Sequence, residues 1–147
     1  MVDRLAKTGM ATIPFPRPVI NKGLEFSFSG LKSAVARFMD VNPDAPHENI
    51  AASFVQAVMD VLMKKSQVAL KQYPSQSFVI VGGVAASPQL REEAGKLCEK
   101  LKVELCLPPL RWSTDNAAMV ALATFDYLNL SIEKKPVADL QLKINDF

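Results

Sequence analysis

The sequence has 147 residues, of which 49% are hydrophobic and 22% charged, with a formal net charge of +2. That balance supplies a core for one globular domain or a piece of a larger one, and it excludes a chain disordered throughout. It also excludes a large field of one sign, so any nucleic-acid contact must come from a local patch.

No apolar run approaches the roughly 18 residues that a membrane span needs, and no signal peptide precedes the first polar residues. The two cysteines, Cys98 and Cys106, lack the spacing of a metal knot and read as reduced thiols of a cytoplasmic protein.

In chain order, residues 2–8 resemble the body of a helix closed by Gly9, yet nothing ahead of Val2 supplies a helix start, which suggests a fragment. Residues 10–25 carry Pro14, Pro16 and Pro18 around Phe15. Proline fixes its own φ and turns its predecessor away from helix, so this segment is extended, either as a linker or as a buried crossing segment. Phe26-Ser27-Phe28-Ser29 alternates as a half-buried strand does, with Gly30 ending it before a helical face of Leu31, Val35, Phe38 and Met39.

After a loop over residues 41–46, the longest predicted helix runs from about His47 to Tyr73. Its polar residues Asn49, Ser53, Gln56, Asp60, Lys64, Gln67 and Lys71 form one stripe, read as solvated, while Ile50, Phe54, Val58, Val61 and Val68 face inward. Residues 74–76 break the helix. Phe78 to Val81 is a continuous apolar run of the kind found in strands covered on both faces.

Gly82-Gly83 follows, and Ser87 is a natural N-cap with Pro88 at the first helical position. Leu90, Ala94, Leu97 and Leu101 space out the inward face of that helix, and residues 103–107 read as a second strand. The spacing matches a βαβ unit. Pro108 and Pro109 stop the second strand, and a last helix runs from about Thr114 to Leu128, with Ala117, Ala118 and Ala121 allowing close packing on the sheet. The tail after Ser131 alternates Leu140, Leu142 and Ile144, as an edge strand or an extended cover.

Two stretches look like ligand edges: residues 79–87 and residues 108–116. In a parallel α/β unit the carboxyl ends of neighbouring strands share one edge, and ligands characteristically bind there. Gly82-Gly83 and the loop carrying Asp115 are therefore expected to converge. The glycines permit positive φ and close backbone approach by a nucleotide, or they simply make a tight turn. Ser87 is a cap, a ligand contact or both, and Asp115 serves either the helix dipole or a divalent cation.

His47, the sole histidine, has no cysteine or second histidine near it in the sequence, and Ser27 and Ser29 have no visible base partner. Trp112 beside Arg111 reads as packing or as a platform for a ring.

Six ordered blocks carry a resemblance: residues 3–6, 14–18, 26–32, 50–54, 82–86 and 114–116. Together they closely resemble the carboxyl-terminal half of the bacterial TsaD family, formerly described as O-sialoglycoprotein endopeptidases or glycoproteases. The resemblance implies an α/β chain that is part of an actin-like (ASKHA, ribonuclease H-like) ATPase fold. Residues 1–147 would form its carboxyl-terminal portion, with a core over about 26–128, a tail over 131–147 and the amino-terminal half absent. The implied activity is transfer of threonylcarbamoyl from threonylcarbamoyl-adenylate to N6 of adenosine 37 of tRNA, alongside TsaB-like and TsaE-like proteins. An adenylate or ATP-type nucleotide and a divalent metal, iron or zinc, are the implied cofactors.

Carried over by position, Asp3 corresponds to the acidic residue contacting the ribose, Gly82 and Gly83 to the glycines lining the adenosine pocket, and Asp115 to a metal ligand. Ser87 departs from the family's usual asparagine, keeping the cap but shortening the reach, and Ser113 departs from the usual cysteine. The family's metal-binding histidines and the rest of the adenylate pocket belong to the other half, so the chain alone is expected to be metal-free and inactive. Two rival expectations are a degenerate nucleotide-binding or scaffold module that dimerises with a TsaB-like partner, and the older glycoprotein endopeptidase.

Overall fold

A 26-residue helix, α3 (His47–Gln72), is the spine against which the neighbouring elements pack. The computed structural model describes residues 2–18 and 20–130, so the tail beginning at Ser131 lies outside the described residues. The chain divides into two units, residues 1–114 and residues 115–147.

In the first unit, α1 (Val2–Ala6), α2 (Ser29–Val41) and α4 (Pro88–Leu101) all pack on α3. One core cluster gathers Phe15, Leu31, Ile50 and Ala57, with the Phe38 ring edge-on to Phe15 at 5.6 Å. A second gathers Val55, Met59 and Leu90. Gly9 has a packing role beyond closing α1, because a Cβ there would overlap the carbonyl of Glu48 and only glycine allows this approach to the first turn of α3.

The sheet is two-stranded and parallel. β1 (Ser77–Val79) pairs with β2 (Glu104–Cys106) in the register Ser77 to Glu104, Phe78 to Leu105 and Val79 to Cys106. The expected βαβ unit is present, with α4 as its crossover. At the end of α4, Lys102 takes a left-handed conformation with φ 57°.

One open alternative is resolved and three expectations need correction. The segment 10–18 crosses α3 and is not a free linker: Phe15 is buried, and Met10, Ile13 and Arg17 bond side chains of α3, although most of the segment's other residues are exposed. The polar stripe of α3 is covered in part: Asn49, Ser53 and Asp60 bind this segment, whereas Lys64 and Lys71 are exposed as expected. Phe26–Ser29 is not a strand; Ser29 and Gly30 already belong to α2, and the Phe26 and Phe28 rings stack at 6.4 Å without a pairing partner. Residues 78–81 are not covered on both faces, since Val79 and Val81 are 58% and 72% exposed. The strand has a neighbour only at β2 among the described residues.

In the second unit, α5 (Ala117–Asn129) starts three residues later than the pattern suggested, because Asn116 is its cap: the Asn116 side-chain oxygen accepts from the Met119 N–H at 3.0 Å. None of its described residues is buried, and Ala117, Ala118 and Ala121 are exposed. No helix among the described residues is long and apolar enough to cross a membrane.

Candidate functional site

The carboxyl end of β1 runs into a turn whose geometry demands glycine. Gly82 has φ 89° and ψ 175°, a region closed to side chains with a Cβ. Its carbonyl accepts from the Ala85 N–H at 3.0 Å, which starts the 3-10 turn Gly83–Ala86. Gly83 has ordinary φ and nothing within 4 Å of where a Cβ would stand, so its backbone is open to a ligand.

Ser87 ends that turn and precedes Pro88, the first residue of α4. It occupies the N-cap position, yet its hydroxyl makes no capping bond. Pro88, at the first helical position, has no N–H, so the start of α4 carries one orphan donor fewer. The Ser87 Oγ is buried and has no hydrogen-bond partner. A buried hydroxyl without a partner costs free energy of about 1–3 kcal/mol, so this group is suited to a bound donor or acceptor.

A groove of about 700 Å³ opens beside it, between the inward side of α3 and the exposed face of β1. Val58, Leu62, Ile80 and Val84 give it an apolar floor, and Asp3 and Ser87 are among the few polar residues on its walls. Asp3 and Ser87 also share a smaller recess of about 290 Å³ with Lys7, Gln89 and Glu92. The structure thus brings Asp3, from α1, to Ser87, at the head of α4, across more than eighty residues of sequence. Gly82 and Gly83 lie between the groove residues Val81 and Val84 in the chain.

Asp115 opens the second unit and is described with it. It stands just before the cap Asn116. Among the described residues no three His, Cys, Asp or Glu side chains gather as a metal site. One carboxylate is too few donors for a divalent cation, so the described residues do not themselves fit the metal.

Trp112 is 47% exposed, with the Arg111 guanidinium 5.3 Å from its ring, so it is not core packing. Both cysteines are free thiols; Cys98 is buried, and burial pushes its thiol up from its ordinary range, whereas Cys106 is half-buried. His47 lines a separate apolar groove of about 460 Å³ between α1, α2 and α3.

Two residues escaped the sequence reading. Arg91 donates through Nε to the Ala85 carbonyl at 2.6 Å and through Nη2 to the Pro108 carbonyl at 2.7 Å and Ser113 Oγ at 3.3 Å. Its signal was a cation in the opening turns of a helix, where the dipole disfavours it unless tertiary partners compensate. Lys65 is 1% exposed and donates to the Lys22 and Gly23 carbonyls, both at 2.7 Å. Its position four residues after Val61 puts it on the inward face of α3, which the run Lys64-Lys65 obscured.

The family model for tRNA N6-adenosine threonylcarbamoyltransferase, TsaD, matches residues 1–122. Proteins of that name are similar to the chain. The one from Trichlorobacter lovleyi is 44% identical over 88% of this chain and 40% of its own length. Those from Streptococcus equi subsp. zooepidemicus and Kosmotoga olearia are 44% and 40% identical over 96% and 85% of this chain, and 41% and 38% of their own lengths. The chain spans about two fifths of the length of the curated relatives it matches.

Proposed function

The chain belongs to the tRNA N6-adenosine threonylcarbamoyltransferase family, and from that membership we propose that it forms the carboxyl-terminal portion of such an enzyme. The reaction is transfer of threonylcarbamoyl from threonylcarbamoyl-adenylate to N6 of adenosine 37 of tRNA, within an actin-like (ASKHA) fold and in the cytoplasm. TsaB-like and TsaE-like proteins are its proposed partners.

The observation that carries this reading is the meeting of Asp3 and Ser87 on one groove beside a glycine turn. Those residue types suit an adenosine nucleotide. Asp3 offers carboxyl oxygens to paired ribose hydroxyls, the bare backbone at Gly83 lets a flat ring approach, and the unpartnered Ser87 hydroxyl supplies a short-range polar contact. Serine reaches less far than the asparagine usual in the family, so this contact is to a group close to the start of α4.

Asp115 is proposed as one oxygen donor to a divalent metal, iron or zinc, whose other ligands lie outside this chain. The chain alone is proposed to be inactive. Its groove is open, and the apolar faces of β1 and α5 are exposed, so nothing among the described residues excludes water from a reacting carbonyl or aligns two substrates.

The Ser87 substitution favours one second reading, a scaffold module that pairs with a TsaB-like protein without binding nucleotide. The test joins this chain to the amino-terminal portion of the Trichlorobacter lovleyi relative and compares Asp115→Ala with the parent. The transferase reading expects loss of tRNA modification with an almost unchanged melting temperature. Retained modification with a large loss of stability would make Asp115 a structural residue of the start of α5.

A further inference from the structure

Arg91 sits one turn into α4 and reaches the loops that leave both strands. Its Nε holds Ala85, at the end of the turn after β1, and its Nη2 holds Pro108 and Ser113, at the two ends of the loop after β2. Ser113 is buried, and its hydroxyl also donates to the Pro109 carbonyl at 3.4 Å, which closes the loop on itself. Among the described residues no carboxylate pairs with Arg91; its acceptors are two carbonyls and one hydroxyl.

We propose that Arg91 is a positioning residue for the ligand edge: it fixes the separation between the glycine turn that leads to Ser87 and the loop from Pro108 to Ser113 that follows β2. What the edge holds rests on the transferase reading, whereas the clasp itself does not.

Three features carry the proposal. The two loops follow different strands, so sheet pairing fixes their roots but not their tips. A guanidinium is a rigid planar fork, able to hold acceptors on two loops at a set distance, which a lysine's single ammonium does not do. Finally, the bonded groups stand next to the candidate edge: Ala85, held through its carbonyl, is two residues before Ser87, and Ser113, held through its hydroxyl, ends the loop that Pro108 begins. Reacting groups held on loops lose rate steeply with misplacement, on the order of a hundredfold for about 1 Å.

The test has two arms. In the 147-residue chain, amide exchange is followed by NMR for Arg91→Met, Arg91→Lys and Ser113→Ala. The amides of Ala85, Ser87, Trp112 and Ser113 all donate within these loops, so they report on each loop directly. Both Arg91 variants are expected to speed exchange at all four by about tenfold or more, with α3 unchanged. Ser113→Ala is expected to speed only Trp112 and Ser113. Faster exchange in one loop only, or full rescue by lysine, overturns the clasp. Should Arg91→Met unfold α3 as well, the lysine and Ser113 variants decide by the same criteria.

In the second arm, the enzyme joined to the Trichlorobacter lovleyi amino-terminal portion is assayed for kcat and KM. Arg91→Lys is expected to lower kcat at least tenfold per folded molecule while KM for tRNA changes little. An unchanged kcat per folded molecule overturns the positioning role. An inactive parent enzyme contradicts the transferase reading instead, and leaves the exchange result to stand or fall by itself.

Discussion

The backbone N–H of Ile13 donates to Ser53 Oγ at 3.0 Å, joining the proline-stiffened crossing segment to the middle of α3. Ser53 is only 1% exposed. Met10 and Arg17 make similar bonds one turn before and two turns after, to Asn49 and Asp60. Between Asn49 and Asp60, what looks like a solvent stripe along the helix is thus a row of docking groups for an extended segment.

Ser53→Ala should therefore cost about 1–3 kcal/mol, because it leaves the part-buried Ile13 N–H without its acceptor. The measurement is the urea midpoint at constant m-value. Gln67→Ala, on the same stripe but beyond the crossing segment, is the control and should change stability by less than about 0.5 kcal/mol. Equal effects would mean that the stripe is solvated after all.

Lys65 makes a second prediction. Its ammonium is held by the Lys22 and Gly23 carbonyls, and Gly23 has φ 52° in a turn that these bonds stabilise. Lys65→Met keeps most of the buried stem but leaves two carbonyls without a donor, and should cost about 2–4 kcal/mol. Proteolysis should then cut first near residues 20–24. A variant as stable as the parent, with no new cleavage there, would show that these carbonyls find water instead.

The thiols give a prediction in pH. Burial raises the Cys98 pKa, so its thiolate forms only at higher pH than an ordinary cysteine's. An alkylating reagent should label Cys106 well before Cys98, with the gap closing only as pH rises above the ordinary thiol range. The stability linked to a neutral Cys98 is fully present below that range and is lost as pH rises through the raised value. Equal labelling rates at neutral pH would contradict this burial.

Periodicity and punctuation made much of the fold legible. The long helix, the βαβ unit, the double glycine and Pro88 at the first helical position stand where those signals put them. The failures share one cause, which is that alternation and polarity describe a residue's own preference and not its neighbour. Phe26–Ser29 alternates but has no pairing partner, so Ser29 joins a helix. The run 78–81 is as apolar as a covered strand, yet Val79 and Val81 are exposed.

Of the candidate site, the glycine requirement at Gly82 was readable because only its backbone matters. That Asp3 reaches Ser87 was not readable from spacing, since α1 approaches through its packing on α3. The Arg91 clasp was hidden for the same reason: its three acceptors are oxygens of Ala85, Pro108 and Ser113, and no charged partner advertises them.

The most direct measurement is threonylcarbamoyladenosine in tRNA, quantified by mass spectrometry of its nucleosides. The tRNA is incubated with threonylcarbamoyl-adenylate, TsaB-like and TsaE-like proteins, and either this chain alone or this chain joined to the Trichlorobacter lovleyi amino-terminal portion. The account predicts modified adenosine 37 with the joined protein and none with the chain alone. A folded joined protein that leaves the tRNA unmodified, or robust modification by the isolated chain, would contradict it.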